Sequence, residues 1–126
     1  MSRTILVVED NARNRKLLRT ILKYRGFDVV ECEDGAPSLD LARRHNPVLI
    51  LMDIELPTMD GITALGRLRA DPDTKDIPVV AVTASVTPSE REKVMAAGFT
   101  AYVAKPIDVD KFGELVDRIV GKEEKA

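Results

Sequence analysis

Glu9 and Asp10 stand side by side in this sequence, and Asp53, Thr83 and Lys105 follow far along the chain, each just after a short apolar run. Carboxylates gathered at one place repel one another: at ~4 Å and an effective dielectric of ~20, each like-charged pair costs about 4 kcal/mol. Something positive must offset that. Carboxylate oxygens, with a backbone carbonyl and water, suit a hard cation such as Mg²⁺, which takes few protein ligands and keeps water that phosphate oxygens can replace. Lys105 adds a fixed ammonium and Thr83 a hydroxyl. A metal, an ammonium and a hydroxyl around one carboxylate meet the needs of phosphoryl transfer, where positioning and charge neutralisation do most of the catalysis.

These residues meet only if the fold brings them together. Five apolar runs, Ile5 to Val8, Val29 to Cys32, Val48 to Met52, Ile77 to Val82 and Ala101 to Ala104, are short and mostly β-branched or aliphatic. Such runs fit strands covered on both faces. Segments of helical period alternate with them. The first places Leu17, Leu18, Ile21 and Leu22 on one face and stops at Gly26. The second is expected to start after Asp34, with Pro37 in its first turn, where a missing amide proton removes no intrahelical bond. The third follows Asp60, turns Ile62, Leu65 and Leu68 inward and ends at Asp71-Pro72-Asp73. The fourth opens with the capping box Thr87-Pro88-Ser89-Glu90 and closes at Gly98. The fifth begins at Asp108 and spaces Val109, Phe112, Leu115, Val116, Ile119 and Val120 along one face before Gly121.

Strand and helix alternating in this way imply an α/β sandwich of three layers: parallel strands joined by right-handed crossovers, with helices on both faces. In such a sheet the carboxyl ends of the strands share one edge, and ligands bind there at the switch point in strand order. Asp10, Asp53, Thr83 and Lys105 then converge. Taken singly each has a plainer explanation, since an acidic pair after a strand often caps the next helix and Thr83 or Lys105 suits an ordinary strand end or loop. The conjunction carries the weight.

Composition narrows the alternatives. A chain of 126 residues fits one domain, read as 1–121 with a short charged tail at 122–126. Its 44% hydrophobic and 32% charged residues are those of an ordinary globule. The longest apolar run is far short of a membrane span and no signal peptide precedes the first strand, so the expected location is cytoplasmic, without membrane contact. Acids and bases are mixed along a chain of net charge −2, which offers no basic stripe and argues against direct nucleic-acid binding. Cys32 is a lone cysteine in an apolar run, expected to behave as a buried small hydrophobe. His45, near the end of the second helix, is a favourable partner for the helix dipole and is given no catalytic role.

The strings Ile5-Leu6-Val7-Val8-Glu9-Asp10-Asn11, Leu51-Met52-Asp53-Ile54-Glu55-Leu56-Pro57-Thr58-Met59-Asp60-Gly61, Val82-Thr83-Ala84 and Ala104-Lys105-Pro106 together resemble the receiver domains of bacterial two-component response regulators. The resemblance runs from about Thr4 to Val120. It implies a flavodoxin-like, doubly wound, five-stranded parallel sheet in the order 2-1-3-4-5 with five helices on two faces. It further implies that Asp53 is the phosphoacceptor, that Asp10, Asp53 and the Glu55 backbone carbonyl bind Mg²⁺ with help from Glu9, and that Thr83 and Lys105 bind phosphoryl oxygens. The Lys105-Pro106 bond is expected to be cis on the same grounds. Asp53 would take its phosphoryl group from a histidine kinase or a histidine phosphotransfer protein. The Thr83 hydroxyl would then move inward, Tyr102 would turn after it, and the face of helix 4, strand 5 and helix 5 would present a changed surface to a downstream protein. The domain would catalyse its own phosphorylation and dephosphorylation without being a conventional enzyme.

Glu55 departs from many relatives by placing a carboxylate two positions after the acceptor, and with Ala84 and Ser85, which follow Thr83, it is expected to modulate the site. Glu55 and Ser85 flank the path of the hydrolysing water in the family, so they are expected to affect phosphate lifetime. Glu9-Asp10-Asn11 followed by Asn14-Arg15 also resembles receivers attached to hybrid histidine kinases, while Met1 just before the first strand and the brief tail favour a stand-alone protein. Two other classes compete. A haloacid-dehalogenase-like phosphatase also uses an aspartyl phosphate with Mg²⁺, Thr and Lys, but needs an early nucleophile and a late acidic cluster. A flavin carrier needs a Ser/Thr/Gly-rich loop where this chain has Asp10-Asn11-Ala12-Arg13-Asn14.

Overall fold

The computed structural model of the chain describes residues 3–84 and 87–125, with side chains as far as residue 121. Its elements alternate as the sequence pattern requires: β1 (Thr4–Val8), α1 (Ala12–Tyr24), β2 (Asp28–Cys32), α2 (Ser38–His45), β3 (Leu49–Asp53), α3 (Gly61–Ala70), β4 (Val79–Thr83), α4 (Pro88–Ala96), β5 (Ala101–Ala104) and α5 (Val109–Lys125). The strands form one parallel sheet in the order β2-β1-β3-β4-β5. Because β1 sits between β2 and β3, the chain reverses its direction of winding there. The loops after β1 and β3 therefore diverge above that switch point and leave a crevice between them.

The two-residue period of each strand divides the core into two layers. Ile5, Val7, Leu49, Leu51, Val80 and Val82 meet Leu18, Ile21 and Leu22 of α1 and Phe112, Val116, Ile119 and Val120 of α5. Their neighbours Leu6, Val8, Ile50, Met52, Val79 and Ala81 meet Ala42 of α2, Ala64, Leu65 and Leu68 of α3, and Val94 of α4. Burying each large aliphatic side chain contributes roughly 1.5–3 kcal/mol. The central strands β3 and β4 are buried along their whole length, whereas β5 is half-buried throughout.

Most helix ends follow their chemistry. Asn11, Asp60, Thr87 and Asp108 accept the first free amides of α1, α3, α4 and α5, from Asn14, Thr63, Glu90 and Lys111. Gly26 and Gly98 take positive φ, at 91° and 110°, just past α1 and α4.

Besides shifts of one or two residues at strand ends, some helix features differ from the sequence pattern. Pro37 is the N-cap of α2 rather than a first-turn residue, because the segment from Asp34 forms a loop of its own. Val109 is 49% exposed: it opens α5 beyond the reach of the sheet. The expected tail from residue 122 does not begin at Gly121, since α5 continues through that glycine to Lys125. A single helical glycine costs ~1 kcal/mol, and Lys and Glu are strong helix formers that extend the helix beyond it.

Candidate functional site

Glu9 lies one residue past β1 and is 1% exposed, while Asp10 beside it is exposed. The turn they make is held from α1. One Arg15 nitrogen donates to the carbonyls of both Glu9 and Asp10 at 2.9 Å, and the Asn11 amide donates to Glu9 Oε2 at 3.2 Å. Asp53 is the last residue of β3 and Thr83 the last of β4, and both are buried. Each stands at its strand's end rather than beyond it, because the ladder to the neighbouring strand extends to these residues. Lys105 follows β5, where its amide bonds the Thr83 carbonyl at 2.9 Å, and the Lys105-Pro106 bond is cis.

The side chains then converge. Lys105 Nζ donates to Asp53 Oδ2 at 2.9 Å and lies 2.9 Å from Glu9 Oε1. The Glu55 amide donates to the other oxygen, Asp53 Oδ1, at 3.0 Å. Glu9, Asp10 and Asp53 each offer an oxygen, and these oxygens lie within 4.8 Å of one another. Glu9 Oε1 lacks an aligned hydrogen-bond donor although it is buried. Hard oxygen donors so placed, one of them without a full partner, fit a Mg²⁺ ion.

Electrostatics agree with that fit. Burial first, and then a shared hydrogen bond and like charge with Asp53, push the Glu9 carboxyl up to about 7, with Lys105 and the Asn11 amide offsetting only part of the rise. Burial works against the Lys105 ammonium, but bonds to Asp53 and Glu9 outweigh it and raise its pKa. One cation is thus shared between two acids.

The outer residues divide. Glu55 and Ala84 are exposed beside the site. Ser85 lies outside the described residues. Tyr102 is half-buried on β5, with the Arg91 guanidinium of α4 5.1 Å from its ring centre. Cys32 is half-buried rather than enclosed; its thiol donates to the Asp34 carbonyl, and burial pushes its pKa up to about 11, so it stays protonated.

Two contributors have no local signature in the sequence. Arg15 looks like any basic residue of an amphipathic helix, yet it fixes the acidic turn through main-chain carbonyls. Asp34 looks like a helix start, yet its carboxylate faces the loop after β3.

The response regulator receiver domain family matches residues 5–117. The polar-differentiation response regulator DivK of Brucella ovis is 39% identical over 121 residues, which cover 96% of this chain and 98% of DivK. The receiver domain of a sensor histidine kinase from Pseudomonas aeruginosa, solved with a magnesium ion coordinated in its active-site cleft, is 32% identical with a TM-score of 0.88, covering 96% of this chain and 99% of that one. A response regulator from Chloroflexus aurantiacus is 28% identical with a TM-score of 0.90, again over 96% and 99% of the two chains.

Proposed function

This chain belongs to the response regulator receiver domain family, and from that premise we propose that residues 1–121 act as one cytoplasmic receiver unit that accepts a phosphoryl group on Asp53. The observation that carries the proposal is the single ammonium of Lys105 held 2.9 Å from both Asp53 Oδ2 and Glu9 Oε1. An Asp53 carboxylate oxygen bonds to phosphorus as the bond from phosphorus to a histidine nitrogen of a kinase or phosphotransfer protein breaks. The products are an acyl phosphate and a histidine free to take up a proton. Lys105 moves from balancing carboxylates to balancing phosphoryl oxygens, and the Thr83 hydroxyl takes another of those oxygens. Glu9, Asp10, Asp53 and the Glu55 carbonyl would hold Mg²⁺, which when bound supplies positive charge to the transferring group. The same constellation, with Glu55 and Ala84 beside it, sets how fast water removes the phosphoryl group, and Ser85, two positions after Thr83 in the sequence, modulates the same rate.

The readout face is α4, β5 and α5. A cleft of about 410 Å³ lined by Tyr102, Pro106, Lys111 and Phe112 lies there, and Tyr102 would turn as Thr83 engages the phosphoryl group. Among the described residues no helix is long and apolar enough to cross a membrane. The family and structural matches do not favour a dehalogenase-like phosphatase or a flavin carrier.

Intact mass after incubation with acetyl phosphate and Mg²⁺ tests the central step. One phosphoryl adduct on the parent and none on Asp53→Asn is the expected result. No adduct on the parent, or an equal adduct on the variant, overturns it.

A further inference from the structure

The loop between β3 and α3, residues 54–60, carries Glu55, whose amide holds Asp53 and whose carbonyl is a proposed cation ligand. One end of this loop is closed by the main chain. The Gly61 amide donates to the Ile54 carbonyl at 2.9 Å, and a Cβ at Gly61 would lie 2.4 Å from the Asp53 carbonyl oxygen. That contact fixes where the loop re-enters α3. It does not fix the far side of the loop, at Thr58 and Met59.

The far side is held by Asp34. A single oxygen, Asp34 Oδ1, accepts from the Thr58 amide at 3.1 Å, the Met59 amide at 3.0 Å and its own neighbour Gly35 at 2.8 Å. The approach is close enough that a Cβ on Gly35 would lie 2.4 Å from the Met59 carbonyl oxygen. Asp34 is itself anchored, since its carbonyl accepts from the Cys32 thiol at 3.4 Å and the Cys32 carbonyl accepts the Glu9 amide at 3.0 Å. A continuous strut therefore runs from the acidic turn after β1, through the end of β2, to the loop after β3. Both the turn that carries Glu9 and Asp10 and the loop that carries Glu55 are tied to it.

We infer that Asp34 is a positioning residue for the acceptor site, fixing the loop that carries Glu55 and so setting the affinity for a divalent cation. The inference rests on the receiver reading above, because that reading assigns the Glu55 carbonyl to the cation. Asp34 touches neither phosphoryl group nor metal; it acts through the Thr58 and Met59 amides.

A general loss of negative charge would also weaken cation binding, so the test separates charge from acceptor position. Asp34→Asn keeps an oxygen where Oδ1 lies and removes the charge. Asp34→Glu keeps the charge and displaces the oxygen by a methylene. Titration calorimetry with Mg²⁺ alone, on the full chain, should find Asp34→Asn close to the parent and Asp34→Glu weaker by roughly tenfold. Hydrogen exchange in metal-free buffer gives a second readout: the Thr58, Met59 and Glu55 amides should exchange faster in Asp34→Glu and stay near parental rates in Asp34→Asn. Any other ordering of the two variants, including equal weakening or no change in either, overturns the inference. A parent chain that binds no Mg²⁺ overturns the receiver reading itself, and the inference with it.

Discussion

Glu9 and Asp71 are both nearly enclosed carboxylates, 1% and 8% exposed, at opposite edges of one sheet. Glu9 follows β1 at the carboxyl edge. Asp71 follows α3, and a crossover helix runs antiparallel to its strands, so the end of α3 lies at the amino edge. Their surroundings treat them in opposite ways. Burial and then Asp53 together raise Glu9 to about 7, and Lys105, the one ammonium near it among the described residues, is shared with Asp53. At Asp71 the Arg43 guanidinium, then the Asp73 amide, hold the carboxyl below the usual range against the cost of burial. An acid kept for structure is given a close guanidinium, which among the described residues otherwise reaches only the exposed Asp40 at 3.9 Å, and an amide. The acids of the site are left short of positive charge, a repulsion that an arriving cation relieves.

The largest effect that would break this contrast concerns the two cations. Lys105→Met removes the only ammonium against Asp53 among the described residues and should lower the rate of phosphorylation by acetyl phosphate by roughly 100-fold, the scale for losing one preorganised charge partner. Arg43→Met, at the other edge, should leave that rate unchanged. Quenched time courses read by intact mass decide it, and an equal loss in both variants would erase the distinction between the edges.

Next in size is that repulsion. Between the ordinary carboxylate value and about 7, the folded metal-free chain holds a proton on Glu9 that the unfolded chain has released. Stability contributed at this residue therefore falls as pH rises through that window. Glu9→Gln removes the charge, so in a chelating buffer near pH 8 the variant should be more stable than the parent by on the order of 2 kcal/mol. Near pH 4 the two should unfold alike. Urea midpoints at both pH values measure this, and a Glu9→Gln chain less stable at the higher pH would show that the site carries no such strain.

Much of this was legible in the sequence, and the parts that were not share a cause. Unbroken apolar runs marked the strands because β1, β3 and β4 are covered on both faces, and Asn11, Asp60, Thr87 and Asp108 mark helix starts through bonds only three residues long. Asp53, Thr83 and Lys105 could be expected at one edge because a parallel sheet gathers strand ends wherever they fall in the chain. Gly121 misled because propensity is a weak prior that flanking residues override. Arg15 and Asp34 were invisible as site residues for a different reason. Both act on main-chain groups of segments that pattern and spacing do not relate, and a side chain that reads a carbonyl or an amide leaves no partner residue type to look for.

The smallest expected effect sharpens the comparison from the structural edge. Asp71 is depressed by its partners, so between its folded value and the ordinary carboxylate pKa near ~4 the unfolded chain holds more protons than the folded one. The stability due to the pair is complete above that range and is lost as pH falls through the folded value, the reverse of Glu9. Asp71→Asn keeps an oxygen for the Asp73 amide and loses the charge facing Arg43. It should be less stable than the parent at neutral pH, by less than the Glu9→Gln gain because the Arg43 side chain is 47% exposed and open to screening by salt. The gap should narrow as pH falls below ~4, where the parent also loses its charge. Urea midpoints taken from neutral to strongly acidic pH, at low and high salt, follow it. A gap that stays constant with pH would mean that shape rather than charge holds Asp71 in place, and the two edges would then differ only in what they bind.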